Sequence, residues 1–161
     1  MEKQKHLPLA GAGFLCVVAL LVMAASLLFG PKQSMRQFIP PAFETSAVNG
    51  VPDVPDGLGW NEVDAAIYKV SVCGNLTLKE NTVDIWLTNP NSNAVWIKLR
   101  ILDTDGNILG ETGLIRPGEY VISVLLNRIP NRGIPVSLKI MAYEPETYHS
   151  AGAVLLNTVI Q

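Results

Sequence analysis

The residues best equipped to do chemistry lie near the C-terminus, where Glu144, Glu146 and His149 fall within one short stretch. Two carboxylates and an imidazole are the raw material of a metal site or an acid/base pair. Pro145 breaks the helix that would set Glu146 and His149 on one face, and no second His, Cys or nucleophile accompanies them, since His6 sits in the polar head of the chain. A solvated turn is the expectation, with no catalytic residue, no metal and no cofactor, and hence no enzyme. The run Asp103-Thr104-Asp105-Gly106-Asn107 clusters oxygens as a calcium loop does. An EF-hand needs Gly at its sixth position and Glu at its twelfth, whereas here Gly is fourth and Leu114 is twelfth. The spacing predicts a hairpin turn instead.

Cys16 and Cys73 are the two thiols. Cys16 lies inside an apolar run, so a bond to Cys73 would join a membrane interior to a folded domain, and Cys73 reads as a buried inert thiol. Asn75-Leu76-Thr77 is a glycosylation triplet that has meaning only in a secretory pathway that uses it. Trp86 and Trp96 carry more, because two indoles on one outer surface are costly to leave in water. Either the chain covers them itself, or they form with Lys98 and Arg100 a surface for a partner protein, where aromatic anchors dominate binding, or a stacking platform for a sugar ring.

Strands must position these side chains. Tyr68, Val70 and Val72 alternate with polar neighbours, as do Val83, Ile85 and Leu87, and then Val95, Ile97, Leu99 and Ile101. Further strands are expected at 107–115, 119–126, 135–143 and 152–160, divided by turn signals at Asp105-Gly106, Pro117-Gly118 and Asn131-Arg132-Gly133. About seven strands without an amphipathic helix predict an all-β, antiparallel sandwich over 60–161. If Asn89 to Asn93 form a hairpin loop, Thr88 faces Ala94, Leu87 meets Val95, Ile85 meets Ile97 and Val83 meets Leu99 on an inner face, while Trp86 meets Trp96, Asp84 meets Lys98 and Thr82 meets Arg100 outside.

The turns at Thr88-Asn89-Pro90, Asp103 to Asn107 and Arg116-Pro117-Gly118-Glu119 resemble those of immunoglobulin-like modules of bacterial envelopes. The resemblance spans roughly residues 82–126, rests on turn chemistry, and implies a fold without an activity. It departs from antibody-type domains, because Cys73 has no downstream partner.

Upstream of that domain, residues 9–29 are free of charge and long enough as a helix, at about 30 Å, to cross a bilayer. The competing reading is a signal peptide cleaved near Ala24-Ala25-Ser26, but the apolar run continues through Leu27, Leu28 and Phe29. Residues 1–8 then form a cytoplasmic head, 9–29 a signal anchor in contact with membrane lipid, and 30–59 a tether with five prolines and four glycines. The second half of that tether, with Val48, Val51, Val54 and Leu58, is too apolar for a purely solvated spacer, and the alternative is that it lies along the domain surface. Lys3 and Lys5 nearly balance Lys32 and Arg36, so the layout of short head and large tail decides the orientation, with the domain outside the plasma membrane and cytoplasmic placement as the alternative. A net charge of -2 gives no basis for nucleic-acid binding. The expected function is a non-enzymatic, membrane-tethered interaction or scaffold module of a bacterial cell envelope, including a minor part of a surface or transport assembly, with a protein partner at the cell surface. A glycan-binding module using Trp86 and Trp96 is the alternative, and a site at Glu146 and His149 the second.

Overall fold

The computed structural model describes residues 38–161, and the span expected at 9–29 lies outside them. The chain divides into the units Met1–Ile39 and Pro40–Gln161. Among the described residues no helix is long and apolar enough to cross a membrane. The second unit is all-β. Its strands are β1 (Val48–Asn49), β2 (Trp60–Asp64), β3 (Lys69–Cys73), β4 (Asn75–Lys79), β5 (Thr82–Thr88), β6 (Trp96–Leu102), β7 (Ile108–Glu111), β8 (Glu119–Leu125), β9 (Pro135–Tyr143) and β10 (Ser150–Ile160).

They form one curled sheet in the order β1-β8-β5-β4-β10-β9-β6-β7, with β3 between β2 and β5. The expected all-antiparallel pairing is corrected at one place, since β10 runs parallel to β4. Antiparallel to β9 along its length, β10 meets β4 only at its end, with Val159 and Ile160 beside Asn75 and Leu76 and both strands running the same way. The curl carries β7 back to β8, where Gly110 and Leu126 bridge and the Asn127 N–H donates to the Leu109 carbonyl at 2.7 Å. A Cβ on Gly110 would lie 2.6 Å from the Leu125 carbonyl oxygen, so only glycine permits this approach. The alternating side chains read from the sequence point into the enclosed space: Val83, Ile85, Leu87, Ile97, Leu99 and Ile101 are all fully buried in one core.

The β5–β6 hairpin does not form. β5 pairs with β8, β4 and β3, whereas β6 pairs with β9 and β7. The two strands bury the same kind of inner face whether they lie side by side or on separate parts of a sheet that curls round a core, so alternation alone does not separate the cases. Side-chain hydrogen bonds of the connection settle it. Asn89 is fully buried, and its Nδ2 donates to the carbonyls of Val95 (2.9 Å) and Ile115 (3.0 Å). Asn93 Nδ2 donates to Asn89 Oδ1 and to the Lys69 carbonyl, both at 2.6 Å, while its Oδ1 accepts the Lys69 N–H at 3.0 Å. These bonds hold an open crossover from one part of the sheet to the other.

The domain also starts earlier than Trp60. Phe43 bridges Leu114, whose carbonyl accepts the Glu44 N–H at 2.8 Å and whose N–H donates to the Ala42 carbonyl at 2.9 Å, and β1 pairs with β8. Gly113 lets this N-terminal strap cross, because a Cβ there would stand 2.5 Å from the Glu44 nitrogen. Proline and glycine content describes how a segment resists regular structure; it does not forbid a few residues from adding to a sheet edge.

Candidate interaction surface

Along β6 the side chains of Trp96, Lys98 and Arg100 fall on one face by the period of two. Opposite Arg100 stands Glu111 of β7, whose carboxylate takes Lys98 Nζ at 3.0 Å and Arg100 Nε at 2.9 Å. Burial alone would raise the Glu111 carboxyl, but the hydrogen bonds and charges of Lys98 and Arg100 outweigh it and hold it below the ordinary value. Lys98 is only 9% exposed, so this cation is held by the protein's own carboxylate.

Trp96 is capped by rings from two distant segments. Phe43 of the strap meets it edge-on at 4.8 Å and 79°, and Tyr148 of the β9–β10 turn lies 5.3 Å away at 59°. The Arg116 guanidinium sits 3.6 Å above the Phe43 ring and also reaches Glu119 Oε1 at 3.3 Å. Glu44 locks the strap in place, accepting the Gly113 N–H at 2.7 Å and the Ser46 hydroxyl at 2.7 Å. Burial would raise its carboxyl too, yet these donors lower it. The strap and the β9–β10 turn therefore half-bury Trp96, which is the self-coverage that the sequence reading set first for this indole.

Trp86 is elsewhere, on a strand that does not pair with β6. Between Asp84 and Leu87 two residues of β5 oppose one of β8, a bulge in which Trp86 adopts φ 51°. Trp60 Nε1 donates to the Trp86 carbonyl at 2.9 Å and pins the bulge, while the Trp86 Nε1 is buried without a hydrogen-bond partner among the described residues. The expected Trp86–Trp96, Asp84–Lys98 and Thr82–Arg100 pairs are corrected accordingly. Asp84 pairs instead with Lys79 at 2.6 Å. Of the four residues proposed as a surface, three share a face and Trp86 does not.

The other candidates resolve into turn chemistry. Glu144 and His149 close the β9–β10 turn through main-chain bonds, with His149 Nδ1 at 3.9 Å from Glu144 Oε2 and largely in solvent. Among the described residues no three His, Cys, Asp or Glu side chains are grouped to hold a metal. Asp103 accepts the N–H groups of Asp105 and Asn107, the Asn107 amide and Arg128 Nη2. These bonds, Asn107's first, hold its carboxyl below the usual value and build the turn. The Asn75 side chain donates to the Gly57 carbonyl. Cys73 is buried, and burial together with the Asp84 charge pushes its thiol up to about 11.

One feature escaped the sequence reading. β10 pairs with β9 from Ser150 to Val159 but with β4 only at Val159 and Ile160. The Gln161 N–H donates to Leu76 and the Gln161 carbonyl accepts from Leu78, so odd-numbered residues turn their main chain toward the β4 side. Ala153, Leu155 and Asn157 therefore present N–H and C=O groups there with no main-chain partner among the described residues. Leu155 is 57% and Val159 41% exposed, and residues 150–161 contain no charge and no proline. That uncharged run was the available signal; which side of the strand lies open depends on topology. No protein-family model matches the chain, and no curated protein matches it either, so the reading of its function rests on this geometry.

Proposed function

We propose that the chain is a non-enzymatic module of the cell envelope, tethered by residues 9–29 outside the cytoplasm, whose domain binds protein by strand addition at β10. The domain is read as an immunoglobulin-like sandwich, supported by the single core inside the curled sheet and by the Asn89 crossover between its parts. The observation that carries the function is the open edge of β10. An exposed, uncharged, apolar edge is a template for another strand, and folded proteins ordinarily blunt such edges with charge, proline or short length. Here the edge strands β2 and β7 carry Glu62, Asp64 and Glu111, whereas β10 has no such guard. A glycan platform on Trp86 and Trp96 has less support, because the two rings lie on unpaired strands and Phe43 and Tyr148 flank Trp96.

A photo-crosslinking residue placed at Leu155 of the full chain, in membranes of the cells that make it, tests this. Covalent protein adducts at 155, and none from the same residue at the exposed Glu80 turn, are the expected result. No adduct at 155, or equal adducts at both positions, would overturn the reading.

A further inference from the structure

We infer that the strand that pairs with β10 is the β10 of a second copy of this chain, joined antiparallel across a two-fold axis at Leu155. The inference rests on strand addition at this edge and names the partner. A two-fold axis sets each residue near the axis against its own kind, so a charge there would meet itself. Residues 150–161 offer none. The open main-chain groups are also symmetric about Leu155, with Ala153 two residues before it and Asn157 two after. With Leu155 opposite its copy, Ala153 faces Asn157 on each side. Three donors from each copy then meet three acceptors of the other, six hydrogen bonds that use every open group of the edge. Leu155 lies against Leu155 on the outer face, covering the most exposed apolar side chain of the strand. Tethering both copies to one membrane surface raises their effective concentration, which favours such a pairing.

The test uses the full chain in detergent with Cys16→Ser, so that the buried Cys73 is the one native thiol left. Opposed residues of such a pair lie about 5.5 Å apart at Cα, within the span of a disulfide. Mild oxidation of Leu155→Cys is expected to give a covalent dimer, and Glu80→Cys none. Sedimentation of the wild type should show a concentration-dependent dimer. Leu155→Glu leaves each copy a partner in Lys139, the cross-strand neighbour on β9, but opposes two carboxylates at the axis. It should weaken the dimer about tenfold or more. A wild type that stays monomeric at every concentration, or a dimer that neither cross-links at 155 nor responds to Leu155→Glu, would overturn the pairing. Adducts of a photo-crosslinker at 155 with a different protein would overturn self-pairing while leaving strand addition standing; neither adduct nor dimer would overturn both.

Discussion

Replacing Phe43 by alanine measures whether the N-terminal strap belongs to the domain. Full burial of a phenylalanine is worth about 3–5 kcal/mol on truncation, and Phe43 is half-buried, which leaves about 2 kcal/mol. Its edge-on contact with Trp96 at 4.8 Å adds about 1 kcal/mol beyond area burial. The expected loss is about 3 kcal/mol, a shift of about 1.5 M in the urea midpoint for a slope of about 2 kcal/mol/M. Unfolding of the Pro40–Gln161 unit, followed by circular dichroism and tryptophan emission, gives the number directly. The double mutant with Trp96→Ala should show coupling of about 1 kcal/mol. A loss under about 0.5 kcal/mol, typical of a solvated surface position, with no coupling, would mean that the strap does not lie on Trp96 and that residues 40–50 are tether after all.

Ile160→Ala should cost about 2–5 kcal/mol in the same assay, because Ile160 is fully buried where β10 meets β4; a melting temperature unchanged by it would show that the last strand is not integral. The Glu111 carboxyl is depressed in the folded state, so its contribution is present above the ordinary value of 4.5 and is lost as pH falls through the lower folded value. Stability measured across that acid range should fall less steeply in Glu111→Gln than in the wild type, and identical profiles would refute the bridge to Lys98 and Arg100. Cys73, with its thiol near 11 and buried, should resist thiol reagents at neutral pH until the domain unfolds; rapid labelling of the folded chain would contradict its burial.

The strands from Tyr68 onward were legible because a half-buried strand writes its inner face into every second residue, and Ile97, Leu99 and Ile101 do so without interruption. Their partners were not legible. The same alternation serves a hairpin and a crossover, and the choice between them rests on the buried amide of Asn89 and the half-buried amide of Asn93, whose acceptors lie on Val95, Ile115 and Lys69. The bulge at Trp86 shifts its ring away from the expected position with no glycine to announce it. β4 hid behind Gly74, where the chain bends between two short strands. Of the surface residues, Trp96, Lys98 and Arg100 share a face because they lie on one strand, which local period decides, while Phe43, Tyr148 and Arg116 joined them from segments that only the tertiary fold brings near.

The central claim is that β10 offers one side of its main chain to another strand, and amide hydrogen exchange in dilute full chain reads it residue by residue. The N–H groups of Val154, Leu156 and Thr158, directed at β9, should exchange slowly, and those of Ala153, Leu155 and Asn157 fast, an alternation that fades as concentration rises and the second copy covers the edge. Uniform protection of all six amides in the dilute chain would show the edge already occupied and contradict the account.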